Sequence, residues 1–119
     1  MNPTEASSVP RGPLTFYVDA RAGSDENDGL RESTSFRTVE RVSAEVYQPG
    51  DTILFKRGAT YHGNLVIHAR GSAESPVYVG AYGQGHMPKI AAKGGTAITH
   101  KAVYLTLDGL EVTNPSSVK

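Results

Sequence analysis

The chain has 119 residues, enough for a single domain around one core. Twelve Lys and Arg balance twelve Asp and Glu, so no net field draws nucleic acid, an anionic membrane surface or a strongly acidic substrate. With no cysteine there is no disulfide framework or thiolate metal site, and no apolar run approaches the ~20 residues of a membrane span.

Residues 1–14 read as a disordered lead-in. Pro3, Pro10 and Pro13 stand among Ser, Thr and Gly with little to bury, and no apolar stretch marks a signal peptide. Thr15-Phe16-Tyr17-Val18-Asp19 is an aromatic and β-branched first strand, followed by a loop rich in turn formers. Phe36, Val39, Val42 and Val46 step by 3, 3 and 4, which predicts a helix over Phe36 to Tyr47. Ser35 or Thr38 is placed to cap its start and Pro49-Gly50 to stop it. A one-sided helix at this point would cover apolar core and unpaired strand edges, so residues 15–50 read as an N-terminal capping unit.

Residues 51–119 then carry two series of short strands. Ile53, Val77 and Val103 head one series at intervals of 24 and 26 residues; Leu65, Ile90 and Leu110 mark the other at 25 and 20. Two series advancing at one rough period predict a solenoid of two to three coils. Strand alternation would send Ile53, Phe55, Leu65, Ile67, Val77, Val79, Ala81 and Ile90 inward, followed by Val103, Leu105, Leu107, Leu110 and Val112.

Tyr17-Val18-Asp19, Ala22-Gly23-Ser24-Asp25, Asn27-Asp28-Gly29, Phe36-Arg37-Thr38-Val39 and Pro49-Gly50-Asp51-Thr52-Ile53-Leu54-Phe55 follow one another in a familiar order. With Gly58-Ala59-Thr60-Tyr61, the run from Pro76 to Gly83 and the run from Leu105 to Asn114, they resemble the N-terminal cap and first coils of right-handed parallel β-helix proteins of the pectin-lyase-like superfamily. The resemblance implies a mainly β fold, a right-handed parallel β-helix with an N-terminal amphipathic capping helix. It implies extracellular or cell-surface placement, polysaccharide or oligosaccharide partners, and parent activities of the lyase, hydrolase or epimerase class. In such proteins the active residues sit on middle coils, so the chain is expected to be a truncated piece, inert by itself. The alternative is a non-enzymatic module for glycan binding, surface structure or self-assembly.

The residues name few chemical groups. Asp25-Glu26-Asn27-Asp28-Gly29 has clustered oxygen ligands, but an EF-hand loop needs Gly at position six and Glu at twelve, where this run has Gly29 at five and Phe36 at twelve. Turn structure is the better account. His62, His68, His86 and His100 lack metal-ligand spacing, and no metal or cofactor is expected. Asp108-Gly109 reads first as a turn, with Glu111 its one acidic neighbour. Lys56, Arg57, Arg70, Lys93 and Lys101 are scattered, with no Asp cluster to complete a lyase site, so no catalytic residue is assigned.

Tyr78 and Tyr104 remain. If Val77 and Val103 point inward, both rings face outward on successive coils, as a sugar-stacking strip or as a packed aromatic ladder. Thr52, Leu54 and Val66 share that outward wall and make it rather apolar. The open C-terminal coil would leave strand edges unpaired, which predicts self-association.

Overall fold

The computed structural model describes residues 13–92, 98–103 and 105–113. The lead-in expected over residues 1–14 lies outside them except for residues 13 and 14, as do Lys93 and Tyr104. Among the described residues the fold is mainly β, with ten strands and one α-helix. In chain order these are β1 (Thr15–Val18), α1 (Val39–Ser43), β2 (Val46–Tyr47), β3 (Thr52–Lys56), β4 (Thr60–His62), β5 (Leu65–Arg70), β6 (Val77–Tyr82), β7 (Lys89–Ala91), β8 (Ile98–Val103), β9 (Leu105–Leu107) and β10 (Glu111–Thr113).

The strands form three sheets, in the orders β1-β3-β6-β9, β4-β7-β10 and β2-β5-β8. Every pairing between them is parallel. Three strand series therefore advance along the chain where the sequence spacing shows two. β4 escapes detection because it is a three-residue segment between Gly58 and Gly63, both at positive φ, and so looks like a corner. The expected run from Ala102 to Thr106 is divided between two sheets, Val103 pairing with Arg70 and Leu105 with Val77. The register corrects the alignment as well: Ile53 lies opposite Phe16 on one side and Val79 on the other.

The inward ladder is the part that period-2 alternation dictates most directly. Ile53, Phe55, Leu65, Ile67, Val77, Val79 and Ile90 are wholly buried. They pack with Phe16, Val18, Phe36, Tyr47 and Tyr61 in one cluster. Tyr47 and Tyr61 belong inside because their hydroxyls find carbonyls there: Tyr47 donates to Val42 O at 2.8 Å, and Tyr61 lies 3.1 Å from Val18 O and 3.0 Å from Lys56 O. Burial pushes both phenols far above their ordinary range.

The helix is much shorter than its periodicity predicts. Phe36, expected as its first apolar residue, instead bridges to Val18 as a one-residue extension of sheet pairing. Thr38 is the cap, its Oγ1 accepting from the Arg41 amide at 3.1 Å. The chain leaves the helix after Ser43 and enters β2, where alternation buries Tyr47 and leaves Val46 45% exposed. Phe36, Val39 and Val42 do share a buried face; Val46 does not. Ser43 Oγ accepts the Val66 amide at 3.0 Å, and β2 pairs with the same strand β5 at His68 and Ala69. The helix end and β2 thus satisfy successive backbone groups along one edge of β5.

Asp51 fixes the other junction. It is completely buried, and its two oxygens accept from the Leu14 and Gln48 amides at 2.9 and 2.8 Å. One carboxylate thereby ties the entry to β1 to the corner that precedes β3.

Candidate functional site

Three of the six tyrosines gather on the outward face of the four-stranded sheet. Along β6, Val77 and Val79 point inward, so Tyr78, Gly80 and Tyr82 point out. Register places Thr52 and Thr106 beside Tyr78, Leu54 beside Gly80, Tyr17 beside Leu54, and Lys56 beside Tyr82. Tyr17 and Tyr82 meet edge to face with centroids 5.2 Å apart.

Gly80 decides how Tyr78 lies. A Cβ at this position would fall 2.6 Å from Tyr78 Cε2, 2.9 Å from its Oη and 3.0 Å from Cζ. The ring's distal edge thus occupies the space that any side chain at position 80 would need, and the ring leans along the sheet. Asp108 holds it there: Tyr78 Oη donates to Asp108 Oδ2 at 3.0 Å. The Asp108 amide in turn donates to Val79 O at 2.9 Å, carrying the ladder one residue past β9. The accepting Asp108 carboxylate keeps the Tyr78 hydroxyl above its ordinary value, with burial and the same negative charge adding to the effect. Tyr82 is pushed up to about 12, first by burial and then by the charges of Asp19 and Glu32.

Charged groups flank the tyrosines. Lys56 Nζ is 3.8 Å from Asp19 Oδ2, while Asp19 Oδ1 accepts from the Arg21 and Ala22 amides. Arg21 Nη2 donates to Gly58 O at 2.7 Å. The face combines half-buried aromatic rings with a carboxylate and an ammonium, a mixture that can stack against a sugar ring and hydrogen-bond its hydroxyls.

Of the two tyrosines expected to form an aromatic strip, Tyr78 is on this face, and Tyr104 lies outside the described residues. The positions directly flanking Tyr78 are threonines, so the next ring along this face of the strand comes from elsewhere: Tyr82, four residues further along and beyond Gly80. Asp108 is the residue whose part is hidden in the sequence. It sits at a turn with Gly109 at φ 73°, as Asp-Gly suggests, yet it also receives a hydroxyl from 30 positions away. Glu111 leans elsewhere, 4.0 Å from Lys89 Nζ.

The acidic loop is structural. Asp25 accepts from the Arg37 and Thr38 amides at 2.9 and 3.0 Å and from the Thr38 hydroxyl at 2.6 Å. Burial raises its pKa, but those hydrogen bonds together with Arg41 outweigh it and hold the carboxyl below its ordinary value. Asp28 is held low chiefly by the Leu30 amide and then by the Thr34 hydroxyl. Depressed carboxyls stabilise the fold above their unfolded pKa and lose that contribution as pH falls through the folded one. The melting temperature is therefore expected to be level above about pH 5 and to decline below about pH 4. An Asp25→Asn, Asp28→Asn double variant should start lower and show a flatter acid limb; an unchanged limb in a thermal melt series would contradict the assignment.

His62 and His86 are exposed, and His86 Nδ1 lies 3.1 Å from Met87 O. His68 is half-buried on β5, and His100 pairs with Ile67 through β8. Among the described residues no three His, Asp or Glu side chains converge as metal ligands, and no helix is long and apolar enough to cross a membrane.

No protein-family model matches the chain, and no curated protein matches it. Solved structures do. The native crystal structure of a lacto-N-biosidase of glycoside hydrolase family 136 from Eubacterium ramulus is 28% identical, with a TM-score of 0.77. The selenomethionine derivative of that protein gives 28% and 0.78. Each match covers 85% of this chain and 20% of the enzyme, so the chain spans about a fifth of the length of the protein it resembles. This finding corrects the expected pectin-lyase-like resemblance, because the similarity is to a family 136 glycoside hydrolase. The physical reason for the error lies in what the motifs report. Segments such as Pro49-Gly50-Asp51 and Asp108-Gly109 meet the backbone needs of short corners between parallel strands, and those needs are not particular to one family.

Proposed function

We propose that this chain is a parallel β-helical part of a carbohydrate-active protein, and that the outward face bearing Tyr78 holds oligosaccharide. The observation that carries the reading is the likeness to a lacto-N-biosidase over 85% of the chain. Three parallel sheets built from strands that recur in the same cyclic order support the helical description. In it, α1 and β2 serve as the cap on the first coil. Extracellular or surface placement goes with the reading, since that is where a protein meets polymeric glycan.

The face itself supports binding. Tyr78 offers a ring steadied by Asp108 and leaning on Gly80, flanked by the Thr52 and Thr106 positions. Preorganising the ring lowers the entropy lost when a sugar stacks on it. The Asp108 carboxylate has further lone pairs for sugar hydroxyls.

Titration calorimetry against a panel of soluble neutral oligosaccharides tests the proposal. Tyr78→Ala is expected to weaken binding about tenfold, the loss of roughly one aromatic contact. Gly80→Ala should weaken it comparably without removing the ring, because the new methyl displaces Tyr78 from the sheet. Wild-type protein that binds no oligosaccharide, or that binds as tightly after Tyr78→Ala, would sink the reading.

A further inference from the structure

A cavity of about 190 Å³ lies away from the tyrosine face, between the segment that leads into α1 and the edge of β4. Ala20, Arg37, Thr38, Thr60, Tyr61 and His62 line it. Its character follows from the hydrogen-bond pattern of a parallel pair, in which alternate residues direct both backbone groups to the same neighbour. The Lys89 amide donates to Ala59 O at 3.1 Å, and the Gly63 amide to Ala91 O at 2.9 Å. Ala59, Tyr61 and Gly63 therefore face β7, and the N–H and C=O groups of Thr60 and His62 face the opposite edge. Among the described residues β4 is the last strand of its sheet on that side. The Arg37 and Thr38 amides, across the cavity, both donate to Asp25 and so do not pair with β4.

The result is a small recess with donors and acceptors in one wall and the guanidinium-bearing residue Arg37 in the other, beside Thr38, whose hydroxyl is held by Asp25 and the Arg41 amide. Both signs of charge stand near it. Asp25 binds the backbone of Arg37 and Thr38, and Glu40 Oε2 lies 2.9 Å from where a Cβ on Gly63 would be, one residue from His62. A lone anion or cation finds no uniform field in such a site. Vicinal hydroxyls, which donate and accept side by side, match a mixed lining of this kind. The volume admits one sugar ring and little more.

We infer that this recess is a binding site for a single neutral pyranose unit, separate from the Tyr78 face. The inference rests on the carbohydrate reading above. It adds a second point of contact that lets one chain engage a glycan at two places, with the gain in avidity that linked sites bring.

The test is amide chemical-shift titration of the 119-residue chain with methyl β-D-glucopyranoside, methyl β-D-galactopyranoside and, as an acidic control, glucuronate. At least one neutral glycoside should shift the Thr60 and His62 amides saturably, with a midpoint of about 1 mM, the weak affinity one ring can reach. Thr60→Val should raise that midpoint severalfold, and Ala20→Leu, which fills the recess, should abolish the shifts. The inference is overturned if neither neutral sugar shifts those amides, if only glucuronate does, or if Ala20→Leu leaves the shifts unchanged. The Tyr78 and Thr106 amides report the other face independently, in a parallel titration with the neutral oligosaccharides used for calorimetry. A response to oligosaccharide there, with none at Thr60 and His62, overturns this inference and leaves the carbohydrate reading standing; silence at both overturns both.

Discussion

Gly23→Ala is expected to destabilise the protein by at least about 3 kcal/mol, the upper end of what overpacking a well-ordered site costs. The added Cβ would stand 2.1 Å from Phe36 O and 2.6 Å from Asp19 O, both backbone atoms. Neither carbonyl is free to retreat. Phe36 O accepts the Asp19 amide at 2.8 Å while the Phe36 amide donates to Tyr17 O at 2.9 Å. Asp19 O accepts the Gly23 amide at 2.9 Å. Moving Phe36 O far enough breaks the bridge between Phe36 and Val18 and releases a ring that is completely buried, while moving Asp19 O breaks the turn hydrogen bond from Gly23 itself. Arg41, stacked over that ring at 4.3 Å, would lose its platform as well. In a calorimetric scan the melting temperature should fall by about 10 °C or more for a domain of this size. Ala22→Gly, at an exposed position next door, serves as the control. A Gly23→Ala melt within about 2 °C of wild type would show that the loop absorbs the methyl, and would refute the close approach.

Gly23 also shows where the sequence is legible and where it stops being so. The residue stands in a motif visible on first reading, but two carbonyls closing on it from positions 19 and 36 leave no local trace. Period-2 alternation fares better, because it reports burial directly: the inward places of Ile53, Phe55, Leu65, Ile67, Val77, Val79 and Ile90 hold, while Leu107, expected inward with them, is 43% exposed. The helix illustrates the opposite case. Phe36, Val39 and Val42 share a buried face without sharing a helix, since a bridge residue and two helical residues can be brought to one side by the turn between them. Side-chain spacing gives the face; tertiary pairing decides the backbone.

The candidate site follows the same division. Tyr78 is readable as an outward residue from the pattern of its own strand. Its orientation comes from Gly80, whose missing side chain makes room, and from Asp108, thirty positions on. Parallel strands joined through three sheets bring together residues separated by a whole turn of chain, so contacts across the face depend on register. Register here differs from the spacing estimate by two residues, since Ile53 pairs with Val79 where the spacing aligns it with Val77. An error of two preserves which face a residue occupies and changes its neighbours.

Tyr61→Ala is expected to cost about 3–5 kcal/mol, the range for removing a large buried aromatic from a core. The ring is 2% exposed and meets Phe55 edge to face at 5.0 Å. β4 is too short to be held by its ladder alone, and this side chain is its anchor in the core. Tyr61→Phe separates packing from polarity. It keeps the ring and removes the hydroxyl that lies within donating reach of Val18 O and Lys56 O, at a cost of about 1 kcal/mol for the hydrogen bonding lost. Those carbonyls close β1 and β3, so the hydroxyl joins two strands of one sheet to a strand of another. Urea denaturation followed by circular dichroism should rank the proteins wild type, Tyr61→Phe, Tyr61→Ala, with similar slopes for the first two. Were Tyr61→Phe as stable as wild type, the hydroxyl would be idle and shape alone would hold β4. Were it as unstable as Tyr61→Ala, the hydrogen bonds would outweigh the ring packing.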